Sequence, residues 1–179
     1  MNRILFFVGC LFVSLLMTSC LEAGMDEPMN SSNKEMTAVT YSYRFLYNDT
    51  IKKGTVNEDI QLGRVCDVVF HQQTEPVDGD NVKGFKTTLT YDINCVQKSG
   101  PSGSVTKQML YDMFKKKITK EGLTNLWVYV SISDAATVSP LNGSPIFGCP
   151  GDFSTDRTYR VVAADGSYED YVIKTVKGF

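Results

Sequence analysis

An alternation of apolar and polar residues with a period of two limits what this chain can fold into more than any other feature. Phe85, Leu89, Tyr91, Ile93 and Cys95 alternate with Lys86, Thr88, Thr90, Asp92 and Asn94. Successive side chains of a strand point to opposite faces, so such a run lays one face on a core and turns the other to water. The same parity orders Tyr41, Tyr43, Phe45 and Tyr47, with Ser42 and Arg44 between them. Gln61–His71 is apolar on both parities (Val65 and Val69; Cys66, Val68 and Phe70), as suits a central strand. Leu126, Val128, Val130 and Ile132 share one face of a further strand, and Trp127 and Tyr129 take the other. A short extended piece, Ala136–Ser139, leads into a loop rich in Gly and Pro that runs through Asp152. The end reads as a hairpin, Thr158–Ala164 and Tyr168–Val176 about Asp165-Gly166, a dipeptide suited to turns with positive φ at both central residues.

Between these runs the punctuation is clear. Turn residues crowd Thr74–Gly84, including Pro76, Asp78-Gly79 and Asp80-Asn81, and predict a loop there. Ser99-Gly100-Pro101-Ser102-Gly103 is a second break. One helix follows, over Val105–Ile118, with Met109, Leu110, Met113 and Phe114 on its apolar stripe. Lys115, Lys116 and Lys117 fall in its last turn, where cations suit the helix dipole; Ser104 is the expected N-cap and Gly122 the stop. Six or seven short strands with one helix between them predict a mainly β fold, a β-sandwich of about seven strands with one inserted helix.

The N-terminus carries an address. Arg3, the apolar run Ile4–Met17 and the small residues before Cys20 have the layout of a secretory signal. Met17-Thr18-Ser19-Cys20 resembles the lipobox of bacterial lipoproteins, which implies lipid attachment at Cys20. The competing reading is a permanent transmembrane helix, but that needs roughly 20 apolar residues and this run stops short of it. Several acyl chains on one residue make a durable anchor where a single chain would not. The expected organisation is a signal peptide over 1–19, a lipidated tether over 20–37, rich in Met, Ser, Asn, Glu and Lys, and a sandwich domain over 38–179.

Removing the leader leaves 160 residues, enough for one domain with a core that needs neither metal nor disulfide. Arg3 leaves with it, so 17 basic residues face 20 acidic ones, and this balance of −3 argues against a nucleic-acid partner. Beyond Cys20 the mature cysteines are Cys66, Cys95 and Cys149, an odd number with neither the spacing of a disulfide scaffold nor that of a zinc site. Cys66 and Cys95 read as buried thiols, with a mutual disulfide as the alternative. His71 is the sole histidine and reads as a strand-end polar residue, so no metal and no cofactor are expected. Asp78-Gly79-Asp80-Asn81 has the residue types of a calcium loop without the spacing of an EF-hand, and reads as a turn. Asp165 and Asp170 flank a hairpin turn and fit turn chemistry better than acid–base work. Gly100, Gly103 and Gly148 are not arranged as a phosphate loop. Two aromatic sets, Trp127 with Tyr129 and the Tyr41–Tyr47 ladder, could present ring faces to sugars, although rings at strand spacing mostly belong to cores.

The last third of the chain bears a more specific pattern. Ala135-Ala136-Thr137-Val138-Ser139-Pro140, Asn142-Gly143-Ser144-Pro145, Pro150-Gly151-Asp152-Phe153-Ser154 and Tyr159-Arg160-Val161-Val162-Ala163-Ala164-Asp165-Gly166-Ser167 follow one another. This resembles the immunoglobulin-like domain of Bacteroidetes surface lipoproteins in the 5018-like family of domains of unknown function. The resemblance covers Leu123–Val176, and the earlier strands in outline. It implies a lipid-anchored outer-membrane protein displayed at the cell surface, with Glu22, Asp26 and Glu27 loosely matching an export signal of that group. It also implies an O-glycosylation acceptor at Asp49-Thr50-Ile51, for which an ordinary loop is the competing reading. No Trp lies between Cys66 and Cys95, so the likeness to antibody domains stops at the sandwich. The function expected is that of a non-catalytic binding or assembly module. The alternative is a glycan-binding accessory protein of a polysaccharide-utilisation system, with Trp127 and Tyr129 on the ligand. The expected partners are therefore the membrane, through the anchor, and a glycan or envelope protein. A hydrolase would need two carboxylates converging in a cleft, and no such cluster is evident.

Overall fold

The computed structural model describes residues 31–79 and 82–179. The leader, Cys20 and the Asp80-Asn81 turn lie outside the described residues. The rest is a mainly β protein of two five-stranded sheets and one helix. The first sheet comprises β1 (Met36–Ile51), β2 (Asp59–Val69), β5 (Val96–Lys98), β6 (Leu126–Ile132) and β8 (Pro150–Gly151), in the order β5-β2-β1-β6-β8. The second comprises β3 (His71–Gly79), β4 (Val82–Thr90), β7 (Thr137–Leu141), β9 (Arg157–Val162) and β10 (Tyr168–Lys177), in the order β3-β4-β10-β9-β7. The helix α1 spans Lys107–Glu121. Ten strands among the described residues exceed the seven expected, because β5 and β8 have only three and two residues and two expected runs are divided.

The alternating parity governs β1 from Val39 to Asp49, after a register shift between Met36 and Ala38. Tyr41, Tyr43, Phe45 and Tyr47 are all buried, so the ladder is core and offers no ring faces to a sugar. One strand serves two packing partners. Tyr41 faces the second sheet, where Thr175 Oγ1 donates to its hydroxyl at 3.1 Å. Tyr43 meets Phe114 of α1, ring centroids 5.5 Å apart, and its hydroxyl donates to Glu121 Oε2 at 2.6 Å. Cys66, Val68, Leu126 and Val128 complete the inner face of the first sheet; Thr87, Leu89, Tyr159, Val161 and Ile173 line that of the second.

Several boundaries differ from expectation for identifiable reasons. Thr74–Gly84 is mostly strand: β3 and β4 pair from His71↔Thr90 to Gly79↔Val82. Pro76 is tolerated because β3 is an edge strand. Gln61–His71 is not one strand either, since β2 ends at Val69 and the chain crosses at Phe70 to begin β3. The run Phe85–Cys95 ends its strand at Thr90 because the Asp92 carboxylate accepts the Asn94 N–H at 2.7 Å and caps a 3-10 turn over Ile93–Cys95. Helix α1 starts two residues late. Asp49 takes the Val105 N–H and lies within reach of the Ser104 hydroxyl, so Thr106 becomes the N-cap, accepting from Met109 N–H. Its buried stripe is Leu110, Phe114 and Ile118, while Met109 and Met113 reach solvent.

The C-terminal hairpin forms as expected, with a different turn. Asp165 does not adopt positive φ; only Gly166 does, at +84°, which is a type I turn closed by a left-handed glycine. Sequence cannot place what β10 does next. It enters between β9 and β4 and pairs parallel to β4, with Val172 opposite Gly84. A Cβ on Gly84 would stand 1.9 Å from the Val172 carbonyl oxygen, so this approach requires glycine.

Candidate functional site

Outward parity on the first sheet builds the candidate site. Register places Ser42 beside Trp127 on one side and Val69 on the other, Arg44 opposite Asp67, and Leu46 opposite Val65. Their outward faces form an open groove of about 690 Å³ lined by Arg44, Leu46, Val65, Asp67, Asn125, Trp127 and Pro150. Trp127 is half-buried and Tyr129, two residues on, is exposed. Both therefore point away from the core. The Arg44 guanidinium lies over both rings, 4.7 Å from the Trp127 centroid and 5.8 Å from that of Tyr129. It also forms an ion pair with Asp67. Hydrogen bonding to Asp67 raises the Arg44 pKa above its ordinary value. Ser42 is buried in the same row, and its hydroxyl has no hydrogen-bond partner.

Leu46 (65% exposed), Val65 and Val69 continue the groove as an apolar strip, with Ile60 and Leu62 exposed further along β2. A cation clamped over two rings beside exposed aliphatics suits recognition by contact and cation–π attraction. One carboxylate lines this groove, and Arg44 holds it. The sequence reading singles out Trp127 and Tyr129 of the residues gathered here. It misses Arg44, Leu46 and Val65, whose only signal is their outward parity on strands of unknown register.

Other expected residues go elsewhere. Asp170 is held by Arg160 through two hydrogen bonds, at 2.7 and 2.9 Å, and Asp165 accepts the Ser167 N–H at 2.8 Å. Cys66, Cys95 and Cys149 are free thiols; burial pushes the Cys66 pKa up to about 11, and nearby Asp67 adds to it. Asp49-Thr50-Ile51 ends a strand, and the Asp49 carboxylate is fully buried. Arg64 donates to it at 2.7 Å, the Lys98 ammonium lies 2.8 Å away, and the Val105 and Thr50 N–H groups each donate at 2.9 Å. Gly103 packs so closely that a Cβ there would meet this carboxylate at 2.3 Å. The glycine-rich segment thus closes over a buried anion of the protein itself. His71, read as a strand-end polar residue, begins β3 and lies beside Asp92 and Cys95.

A family model described as DUF5018-related matches residues 36–174, nearly the whole of the two-sheet fold. The chain belongs to the DUF5018-related family. A crystal structure of a candidate secreted protein from Bacteroides fragilis NCTC 9343 is similar to it, with a TM-score of 0.56 and 26% sequence identity. That likeness covers 83% of this chain and 98% of the Bacteroides protein. No curated protein gives a match. Family and structural likeness together make this a Bacteroidetes-type β-sandwich protein.

Proposed function

We propose that the protein is a non-catalytic lipoprotein of the outer membrane, anchored through Cys20, whose immunoglobulin-like domain binds an envelope protein through the outer face of its first sheet. The observation that carries this reading is the Arg44 clamp over Trp127 and Tyr129, set in an open groove that continues into exposed Leu46 and Val65. Contiguous exposed apolar surface beside stacked aromatic and Arg side chains is the composition of protein interfaces. The Bacteroides relative, described as secreted, supports an address outside the cytoplasm.

The aromatic pair also favours a second reading, glycan binding, because Tyr129 is exposed and Trp127 half-buried on one strand face. Against it, the Arg44 guanidinium already occupies the ring faces a sugar would use. A photo-crosslinking residue at position 46 of the full chain, in cells that make it, tests the two. The leading reading expects a discrete adduct with an envelope protein that disappears when Arg44→Glu is added. Absence of that adduct, together with retardation in a polysaccharide gel that Trp127→Ala abolishes, would replace it with the glycan reading.

A further inference from the structure

The chain crosses between sheets twice at one end of the fold. It leaves the first sheet at Phe70 to start β3 with His71, and returns through Tyr91, Asp92 and the 3-10 turn that ends in Cys95, before β5. His71 and Asp92 are roughly half exposed, whereas Cys95 is 3% exposed and forms the floor between them. A ring nitrogen, a carboxylate oxygen and the sulfur all lie within 4.8 Å of one another, and His71 Nε2 is 3.3 Å from Asp92 Oδ1. The Asp92 N–H donates to Cys95 Sγ at 3.5 Å, which turns the sulfur toward the carboxylate's residue.

We propose that His71, Asp92 and Cys95 form a binding site for a divalent transition-metal ion, with Zn²⁺ the ion its donor set fits. Bonds of about 2.0–2.3 Å in a tetrahedral Zn²⁺ site put neighbouring donors about 3.3–3.8 Å apart. The histidine–carboxylate separation already has that value, and small side-chain rotations bring in the sulfur. Nitrogen, oxygen and one thiolate are the donors zinc accepts; calcium and magnesium take oxygen alone. On binding, the Cys95 thiol gives its proton to solvent and the sulfur lone pair forms the metal bond. Three protein ligands leave the fourth position to water on the exposed side. The ion would join the outgoing crossover, carrying His71, to the returning one, carrying Asp92 and Cys95. It shares no residue with the groove of Trp127 and Arg44, so it stands independently of the binding function proposed above.

Titration of the metal-free full chain with Co²⁺, followed by absorbance, and with Zn²⁺, followed by calorimetry, tests the site. The expected result is one equivalent bound, with a thiolate-to-cobalt charge-transfer band that Cys95→Ser removes and Cys149→Ser keeps. His71→Ala, at an exposed position that leaves folding intact, should weaken Zn²⁺ binding by about tenfold or more, in keeping with the losses seen at metal sites. Absence of the band, its survival in Cys95→Ser, or a smaller loss in His71→Ala would overturn the site.

Discussion

Replacing Asp49 by Asn tests whether its buried ion cluster holds the loop before α1 in place. The substitution preserves shape and an acceptor oxygen for the Val105 N–H, but leaves Arg64 and Lys98 facing a neutral amide. Breaking one side of a buried ion pair costs about 3–5 kcal/mol. The lower end applies here, about 3 kcal/mol, because the amide still accepts hydrogen bonds. Burial alone would raise the Asp49 pKa, but Lys98 and the Val105 and Thr50 N–H groups outweigh it and bring the value from 3.8 down to about 2. A folded-state pKa below the unfolded one contributes stability that is present above pH 3.8 and lost as pH falls through about 2. That shift corresponds to about 2 kcal/mol, reduced toward 1 by solvent close to the cluster. Urea denaturation should therefore show Asp49→Asn less stable by about 3 kcal/mol at pH 7, or a melting temperature lower by roughly 6–12 °C. The gap should narrow by about 1–2 kcal/mol at pH 2, where the wild-type carboxyl is itself becoming neutral. A gap below about 1 kcal/mol at pH 7, or one equally wide at both pH values, would refute the reasoning.

Phe114→Ala should cost about 3–5 kcal/mol in denaturant unfolding, since this buried ring touches Tyr43, Phe70 and Tyr91 and so joins the helix to the core. Gly84→Ala should lower the denaturation midpoint by more than an exposed-strand alanine would, by about 3 kcal/mol, because its Cβ meets the rigid backbone of β10; a neutral result would contradict the parallel register of β4 and β10. Alkylation at pH 8 with peptide mapping should label exposed Cys149 rapidly and Cys66 only after unfolding, because Cys66 is buried and its pKa is raised to about 11. Arg44→Ala should change stability by less than about 1 kcal/mol, the range of exposed ion pairs, in the same denaturation assay.

Local patterning decided a large part of this protein. Parity alone orients Tyr41 through Tyr47 inward and Trp127 and Tyr129 outward, because a strand's faces alternate whatever it pairs with. The Asp165-Gly166 turn and the Gly122 stop are equally local. Register and crossover are not. Which strand lies beside Gly84, and which residue faces Arg44, depend on pairings between segments far apart in the chain, and no period in either segment records them. The Asp49 cluster gathers Arg64, Lys98 and Val105 from three separate segments, and His71 meets Asp92 and Cys95 only because two crossovers share one end of the fold. Sequence thus determined the two faces of the main strands and the existence of the helix and the final hairpin, but not several of the element boundaries. The tertiary structure decided which of the outward and polar residues meet, since a site depends on distances that only the packed sheets define.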